Sequence, residues 1–398
     1  MSKTFCVLPF VHLATHPNGD VSPCCDSPMH HPDNGNGRMT LNSHTIEEIR
    51  NSKSFKELRE SMVNGERHPA CSYCWEMEDS GITSRRQSEN KNYGINPINK
   101  NYFIDKMPLL NVELRLGNVC NMKCLICHPH SSSKWNEDSS AIENSNFHTI
   151  YPESDLYSKK IIEKEWYRNS FFYNQLEDKY PELNHLWING GEPTLIKEHF
   201  NFLKKLVKSG KSKKMTLDYN VNGSNIPDEL IDIWKEFKFV GVTISMDDIG
   251  DRIYYQRYPT KFDNVVSTIR KLEDNDIIYT IIPTFSLYNI YNVITIIEYI
   301  ETNFKKGNEC ALNFVIHPEH LSVSNLPDGE KQKLIKKIKE SNIHQDFKDS
   351  IIFNLNKKSR YNINVFKRFT EILDKKRNLN VLDYLPEYDW LFGNNNLI

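Results

Sequence analysis

The sequence predicts a parallel α/β sheet, open or partly closed as a barrel, on two observations. From residue 109 onward, short apolar runs alternate with longer amphipathic stretches, the pattern of repeated strand–helix units. The first run, Leu110-Asn111-Val112-Glu113-Leu114-Arg115-Leu116, alternates apolar and polar residues with the period of two that a strand imposes. Further strands are expected over 185–189, 215–221, 239–245, 277–285 and 311–316. Helical spacing of apolar residues falls between them, over 195–208, 227–237, 262–274 and 290–304. Polar residues 131–182 interrupt the rhythm as a long crossover insertion, and beyond Pro318 the pattern turns helical and basic.

Residues 1–92 read as a separate unit, with turn residues at Pro17-Asn18-Gly19-Asp20 and 33–37 and one helix over 45–63 built on Ile46, Ile49, Leu58 and Met62. The stretch 88–106, rich in Asn, Lys and Tyr, reads as a linker. A length of 398 residues suggests about two to three domains. The expected division is a cysteine-rich module over 1–92, an α/β domain over 108–317 carrying the 131–182 insertion, and a helical basic extension over 318–398. Lys and Arg number 50 against 52 Asp and Glu, which argues against a chain-wide nucleic-acid-binding charge pattern. The most apolar stretch, 277–300, is broken by Pro283, Asn289, Asn292 and Glu298 and is not expected to span a membrane. The first residues, Met1-Ser2-Lys3-Thr4-Phe5-Cys6, have no apolar secretory segment, so a cytoplasmic location is expected.

Cysteine usage carries the chemistry. Eight of nine cysteines lie in the first 127 residues, which points to metal binding or redox work instead of a secreted disulfide frame. Cys310 stands apart in an apolar run and is expected to be a buried, inert thiol. Cys120-Asn121-Met122-Lys123-Cys124-Leu125-Ile126-Cys127 places three thiolates within eight residues, just after the first strand. Such soft ligands suit zinc or iron–sulfur clusters. Structural zinc wants a fourth ligand, whereas three cysteines can hold three irons of a cube and leave the fourth open. Active sites of α/β sheets gather at the carboxyl ends of strands, where this loop lies.

This C-x3-C-x2-C spacing resembles the radical S-adenosylmethionine (SAM) enzymes, and three later strand ends add to the resemblance. Gly190-Gly191-Glu192-Pro193 is similar to the family's GGEP motif, whose acceptors meet the ammonium of SAM. Asn220-Val221-Asn222-Gly223 resembles its strand-end Asn-Gly turn, and Ser245-Met246-Asp247-Asp248 resembles its S-x-D-G contacts to ribose and carboxylate. Asp248 replaces the usual Gly, and Ile126 stands where the family places an aromatic residue against adenine. Arg257, in the segment 252–259, is a candidate carboxylate contact. The resemblance implies a partial (β/α)6 TIM-like barrel, a [4Fe–4S] cluster on Cys120, Cys124 and Cys127, and SAM held by Ile126, Gly190, Gly191, Glu192, Pro193, Asn222, Ser245, Asp247 and Arg257. It also implies reductive cleavage of SAM to a 5′-deoxyadenosyl radical that takes hydrogen from a substrate.

Ahead of the barrel, Cys6, Gly19 and Cys24, followed by Cys71-Ser72-Tyr73-Cys74, resemble the first part of the SPASM motif and its shortened twitch form. Gly19 permits a hairpin turn that brings Cys6 and Cys24 together. Cys71 and Cys74 then complete four ligands for one auxiliary iron–sulfur cluster; a structural zinc ribbon is the alternative. The motif's later cysteines are missing, position 80 being Ser, so one auxiliary cluster is expected. Cys25 is spare, read as a buried or outer thiol or a substitute for Cys24. In most relatives this module follows the barrel; here it precedes it. The tail around 373–377 and 385–387 also resembles that of twitch-containing members.

Other signals are weaker. His30 and His31 read as solvated, and His128 beside the cluster loop is a candidate proton handler. Lysines 204, 205, 208, 211, 213 and 214 read as a solvated helix end. Residues 331–377 hold fourteen Lys or Arg against five Asp or Glu, which an exposed helix face explains more simply than an RNA or acidic-peptide partner. The implied substrate is a peptide or small metabolite, with a flavodoxin- or ferredoxin-type electron donor. An RNA- or nucleotide-modifying radical SAM enzyme and a zinc-stabilised interaction protein are the alternatives.

Overall fold

The computed structural model describes residues 4–30, 32–35, 37–96, 99–162, 165–304 and 310–393; His31 lies outside the described residues. The architecture is α/β, with a predominantly parallel sheet of seven strands. Two compact units divide the chain. The first comprises residues 1–119, 162–219 and 228–240, and the second 120–161, 220–227 and 241–398.

In the first unit the sheet contains β1 (His12–Thr15), β2 (Val21–Ser22), β3 (Asn111–Arg115), β4 (His185–Asn189) and β5 (Thr216–Val221, whose last two residues belong to the second unit). Their spatial order is β2-β1-β3-β4-β5. β1 and β2 form the expected hairpin, with Ala14 opposite Ser22 and Gly19 at a φ of 89° in the turn. The sequence did not reveal that β1 also pairs parallel to β3, with His12 opposite Asn111 and Ala14 opposite Glu113. The cluster module thus contributes a strand to the main sheet.

Alternation gives the strands two different faces. Val112, Leu114, Leu186, Ile188, Leu217 and Tyr219 are fully buried on one, where the following helix Lys197–Lys208 adds Phe200, Leu203 and Leu206 to the apolar layer. The other face carries Asn111, Glu113, Arg115, His185, Trp187 and Asn189, and five of these six stay partly accessible. Burial of alternate aliphatic side chains, at ~25 cal/mol per Å², is what fixes this register, because a one-residue slip would exchange the faces.

The expected helix over 45–63 is two helices, Ile46–Arg50 and Lys53–Asn64, with a Thr45–Glu48 capping box on the first and Ser52 capping the second. The expected linker 88–106 is largely helical, Arg85–Asn92 and Lys100–Lys106. Local propensity is poor there, but Ser84 and Gln87 form a capping box. Asn90 also accepts from the Val7 amide at 2.9 Å and donates to the Phe5 carbonyl at 2.7 Å. Tertiary bonds therefore override composition.

His199 illustrates the polar cost of this core. It is fully buried, with Nδ1 2.6 Å from the Ile196 carbonyl and Nε2 3.0 Å from the Tyr219 hydroxyl. The carbonyl requires the proton on Nδ1, and burial lowers the pKa to about 3. The folded value lies below the unfolded one, so the unfolded chain binds more protons between about pH 6.5 and 3. Stability is lost as pH falls through that window, at ~1.4 kcal/mol per unit. Urea denaturation at pH 6.5 and 5.5 should show that loss, and His199→Phe should flatten the slope by this increment.

In the second unit β6 (Phe239–Ser245, its first two residues in the first unit) pairs parallel to β7 (Ile278–Ile282), with Ser245 opposite Ile282. A short parallel pair, β8 (Thr284–Phe285) and β9 (Asn313–Phe314), follows. The run expected as one strand over 311–316 is paired only at β9, and Cys310 makes a single bridge to Ile281. The Cys310 thiol is half-buried, and burial pushes its pKa up to about 12, as suits an inert thiol. The strand–helix rhythm holds through Phe262–Asp274 and Val293–Asn303. The carboxyl-terminal part is helical as expected, over Asp328–Glu340, Gln345–Leu355 and Ile363–Arg377. Among the described residues no helix is long and apolar enough to cross a membrane.

Candidate cluster sites

In the second unit the three-cysteine loop is fixed by backbone pairing to the segment that carries Arg257. Lys123 N–H donates to the Tyr258 carbonyl at 2.9 Å and Leu125 N–H to the Gln256 carbonyl at 2.8 Å. From below, the Trp135 indole donates to the Cys124 carbonyl at 2.8 Å. Cys124 is 8 % exposed, and Cys120 and Cys127 are half-buried. Donors already face one of the sulfurs: the Met122 amide lies 3.4 Å and the Asn222 amide 3.9 Å from Cys120 Sγ. Burial pushes the Cys127 thiol pKa up, and the neighbouring Cys124 and Cys120 push it further. For Cys124 burial likewise raises the pKa, while Arg257 opposes it.

Arg257 is the cation of this site. Its Nη1 donates to Asp247 Oδ2 at 2.7 Å, with both residues buried. Burial works against its charge, but Cys124, Asp247 and Cys120 together hold it firmly protonated. Asp247 is in turn oriented by the Thr284 amide at 2.9 Å. The second unit thus brings together five expected site residues: Cys120, Cys124, Asn222, Asp247 and Arg257, with Cys127 coupled to the other thiols. Ser245 ends β6 half-buried, and Ile126 is half-buried on the loop.

The departure at Asp248 has a structural reason. This fully buried carboxylate accepts from Ile249 N–H, Asn292 Nδ2, Arg252 Nε and Gln256 Nε2, at 2.9, 2.6, 3.0 and 2.6 Å. Glycine could offer none of these, so Asp248 anchors the turn after β6 and the helix Asp251–Gln256.

The Gly190-Gly191-Glu192-Pro193 turn is in the first unit. Gly190 has a φ of 131°, and a Cβ on Gly191 would lie 2.3 Å from the Val119 carbonyl oxygen. The glycines are therefore demanded by the strand β3 exit packing against this turn, with Gly191 N–H to Gly117 O at 3.0 Å and Glu192 N–H to Val119 O at 2.8 Å. Glu192 is 1 % exposed and accepts from the Thr194 hydroxyl at 2.6 Å, and Pro193 is buried behind it.

The auxiliary set also assembles in the first unit. Cys6 and Cys24 flank the hairpin, and Cys71 and Cys74 lie at the start of the helix Ser72–Asp79. Burial pushes the Cys24 and Cys71 thiols up to about 12 and raises Cys6 as well, and neighbouring sulfurs add to these three shifts: Cys6 feels Cys71 and Cys74, Cys24 feels Cys6, and Cys71 feels Cys24 and Cys74. Arg86, bonded to Glu78 at 2.6 Å and to the Phe5 carbonyl at 2.9 Å, supplies an opposing positive charge. Among the described residues no three His, Cys, Asp or Glu side chains converge at the short range of a single-ion site. The fit of both sets therefore rests on donor chemistry. Buried thiols that repel one another as thiolates are stabilised in that form only by a bound cation, and soft sulfur donors suit iron–sulfur clusters. The Cys25 thiol feels Glu113, Arg85 and Asp26, and after them its neighbour Cys24.

Two weaker signals of the sequence have these surroundings in the fold. Of the basic residues in 331–377, Arg377 is turned inward and Lys333, Arg360 and Arg368 pair with glutamates. His128 is held neutral, with burial lowering its pKa to about 4. Sequence reasoning did not single out the polar residues His12, Arg85, Glu113 and Trp187; the available signal was a strand with polar residues at alternate positions.

Two family models match this chain. Residues 114–300 match the radical SAM superfamily, and residues 6–75 match the SPASM iron–sulfur cluster-binding domain. The chain thus carries a radical SAM domain and, ahead of it, a SPASM-type module. These domains imply [4Fe–4S] chemistry, SAM and an auxiliary iron–sulfur cluster as the cofactors. Among solved structures, anSMEcpe with bound AdoMet is similar at 20 % identity and a TM-score of 0.41, over 61 % of this chain and 63 % of that one. Streptococcus suis SuiB bound to its precursor peptide SuiA is similar at 12 % identity and a TM-score of 0.36, over 82 % and 66 %. Kitasatospora setae TsrM, a radical SAM methyltransferase, is similar at 12 % identity and a TM-score of 0.33, over 54 % and 35 %. The chain thus spans less than two thirds of the length of each. The comparison with curated proteins gave no match.

Proposed function

We propose that this chain is a cytoplasmic radical SAM enzyme that takes a hydrogen atom from a peptide substrate. The observation that carries it is the three-thiol loop, with sulfurs electrostatically coupled to one another and to the buried Arg257–Asp247 pair, inside a radical SAM domain. When bound, the cluster supplies the electron that splits the sulfonium of SAM into methionine and a 5′-deoxyadenosyl radical. Cys120, Cys124 and Cys127 hold three corners of it. Arg257 offsets the negative charge that the thiolates gather, and the burial of Cys124 excludes water. Gly190, Gly191, Glu192, Pro193, Ile126, Asn222, Ser245, Asp247 and Arg257 carry the SAM-binding roles that their motif positions imply. Cys6, Cys24, Cys71 and Cys74 would hold one auxiliary cluster, which would supply there a site for the product electron or for substrate, and the first electron would come from a flavodoxin- or ferredoxin-type protein.

Anaerobic reconstitution with iron and sulfide counts, followed by dithionite, SAM and a 5′-deoxyadenosine assay, tests the reading. A colourless protein with zinc and no iron would select the zinc-stabilised alternative instead. Cys71→Ala should retain uncoupled SAM cleavage while substrate turnover is lost; chromatographic quantification of both products checks this.

A further inference from the structure

The accessible face of the first unit's sheet contains polar atoms that the fold itself leaves unmatched. Glu113 is 2 % exposed. Its Oε1 is bonded by Arg115 at 3.0 Å and Asn189 at 3.2 Å, yet its Oε2 has no hydrogen-bond partner. The neighbouring Asn189 Oδ1 and Trp187 Nε1 are likewise buried without partners. Register places these atoms side by side, with Glu113 opposite Trp187 and Arg115 opposite Asn189. A buried polar atom left unpaired is costly, so three clustered on one face need an explanation.

Two elements of the cluster module close over this patch. Arg85 lies over the Trp187 ring, 5.7 Å from its centre, and contacts Cys25 Sγ. His12, on β1, is fully buried and senses both Glu113 and Arg85; burial holds it neutral, with a pKa of about 4. Every ion of the patch already has a counterion within the fold. Glu113 has Arg115, and Arg85 has Asp26 and Glu89, the latter at 3.8 Å. No unbalanced charge is left to select an anion or a cation. The open valences are the acceptors Glu113 Oε2, Asn189 Oδ1 and Asn111 Oδ1, the donors Trp187 Nε1 and Arg85 Nε, and the two ring nitrogens of His12, one donor and one acceptor in its neutral form. Their complement is an uncharged group that donates through N–H and accepts through C=O.

We propose that Glu113, Trp187 and Asn189, capped by Arg85, bind a backbone amide of the substrate peptide. The inference rests on the peptide reading above and adds the atoms that recognise it. Arg85 and His12 come from the cluster module, which makes that module part of substrate recognition and gives Cys25 a place against Arg85 instead of on the cluster.

The test uses the reconstituted holoprotein labelled with 5-fluorotryptophan, the Trp187 resonance being assigned with Trp187→Phe. Acetyl-tetraglycine N-methylamide should displace the Trp187 fluorine signal saturably, while acetate and methylammonium do not. Glu113→Gln should weaken half-saturation by about tenfold or more, as loss of a charged acceptor would. A shift that is absent or never saturates would mean that ordered water fills the patch and would overturn the proposal. So would saturation by either ion, saturation by glucose but not by the peptide, or an unchanged affinity in Glu113→Gln. The wild-type titration decides even if that variant does not fold. The two readings also fail separately: 5′-deoxyadenosine without a peptide shift removes the amide site alone, and a peptide shift without 5′-deoxyadenosine removes the radical SAM reading alone.

Discussion

Cys124→Ala is expected to abolish 5′-deoxyadenosine formation and to lower bound iron by one cluster's worth, leaving the auxiliary set loaded. Cys124 is the most buried of the three loop thiols. Its sulfur is also the one that couples most strongly to Arg257. Removing it leaves two thiols, too few to retain a cubane, and takes from Arg257 the thiol that it feels most strongly. Folding should survive, because the loop's backbone bonds to Gln256 and Tyr258 do not involve the side chain. Iron and sulfide analysis, the visible spectrum and the nucleoside assay check all three statements. A variant that still cleaves SAM at the wild-type rate would show that the site is elsewhere.

Asp138→Ala should be the most damaging substitution for stability in the second unit, at about 3–5 kcal/mol. Asp138 is completely buried and accepts from Arg377 Nε at 2.8 Å and from Lys123 Nζ at 2.9 Å. The Arg377 side chain is 1 % exposed and lies over Trp135 at 5.4 Å and Tyr258 at 5.6 Å. Its Nη1 and Nη2 make no hydrogen bonds. Without Asp138 a buried guanidinium would lose its hydrogen-bonded anion inside an aromatic layer. Arg377→Met in the same protein should therefore recover at least part of the loss, a coupling that a double-mutant cycle in urea measures. Simple additivity of the two changes would mean that the ion pair is not what holds the helix Ile363–Arg377 against the cysteine loop.

Much of the fold was legible because hydrophobic periodicity is strong where a strand buries one face. The expected 185–189, 239–245 and 262–274 elements coincide with β4, β6 and a helix. The hairpin at Gly19 was legible but the pairing of β1 to β3 was not: His12-Leu13-Ala14-Thr15 is too short to show a period, and its partner lies about a hundred residues away in the chain. The insertion 131–182 reads as polar by composition but buries Trp135, Tyr151, Tyr157 and Trp166 at widely spaced positions that follow no helical or strand repeat. In the candidate site the cysteines, Asn222, Asp247 and Arg257 were legible because their chemistry demands particular residue types at strand ends. Glu113 and Trp187 were not, since a charged residue at an alternate strand position usually means solvent.

The pairing of β1 with β3 bears on how this protein can be taken apart. A cluster-binding appendage on a tether could be excised or transplanted whole. Here its second segment is an integral rib of the catalytic scaffold, so deleting residues 1–22 would strip an edge from the sheet and bare the amides and carbonyls of β3 to self-association. Loss of iron from the front cysteines would be felt along the same rib. Defects in cofactor loading and in solubility should accordingly appear together in this chain.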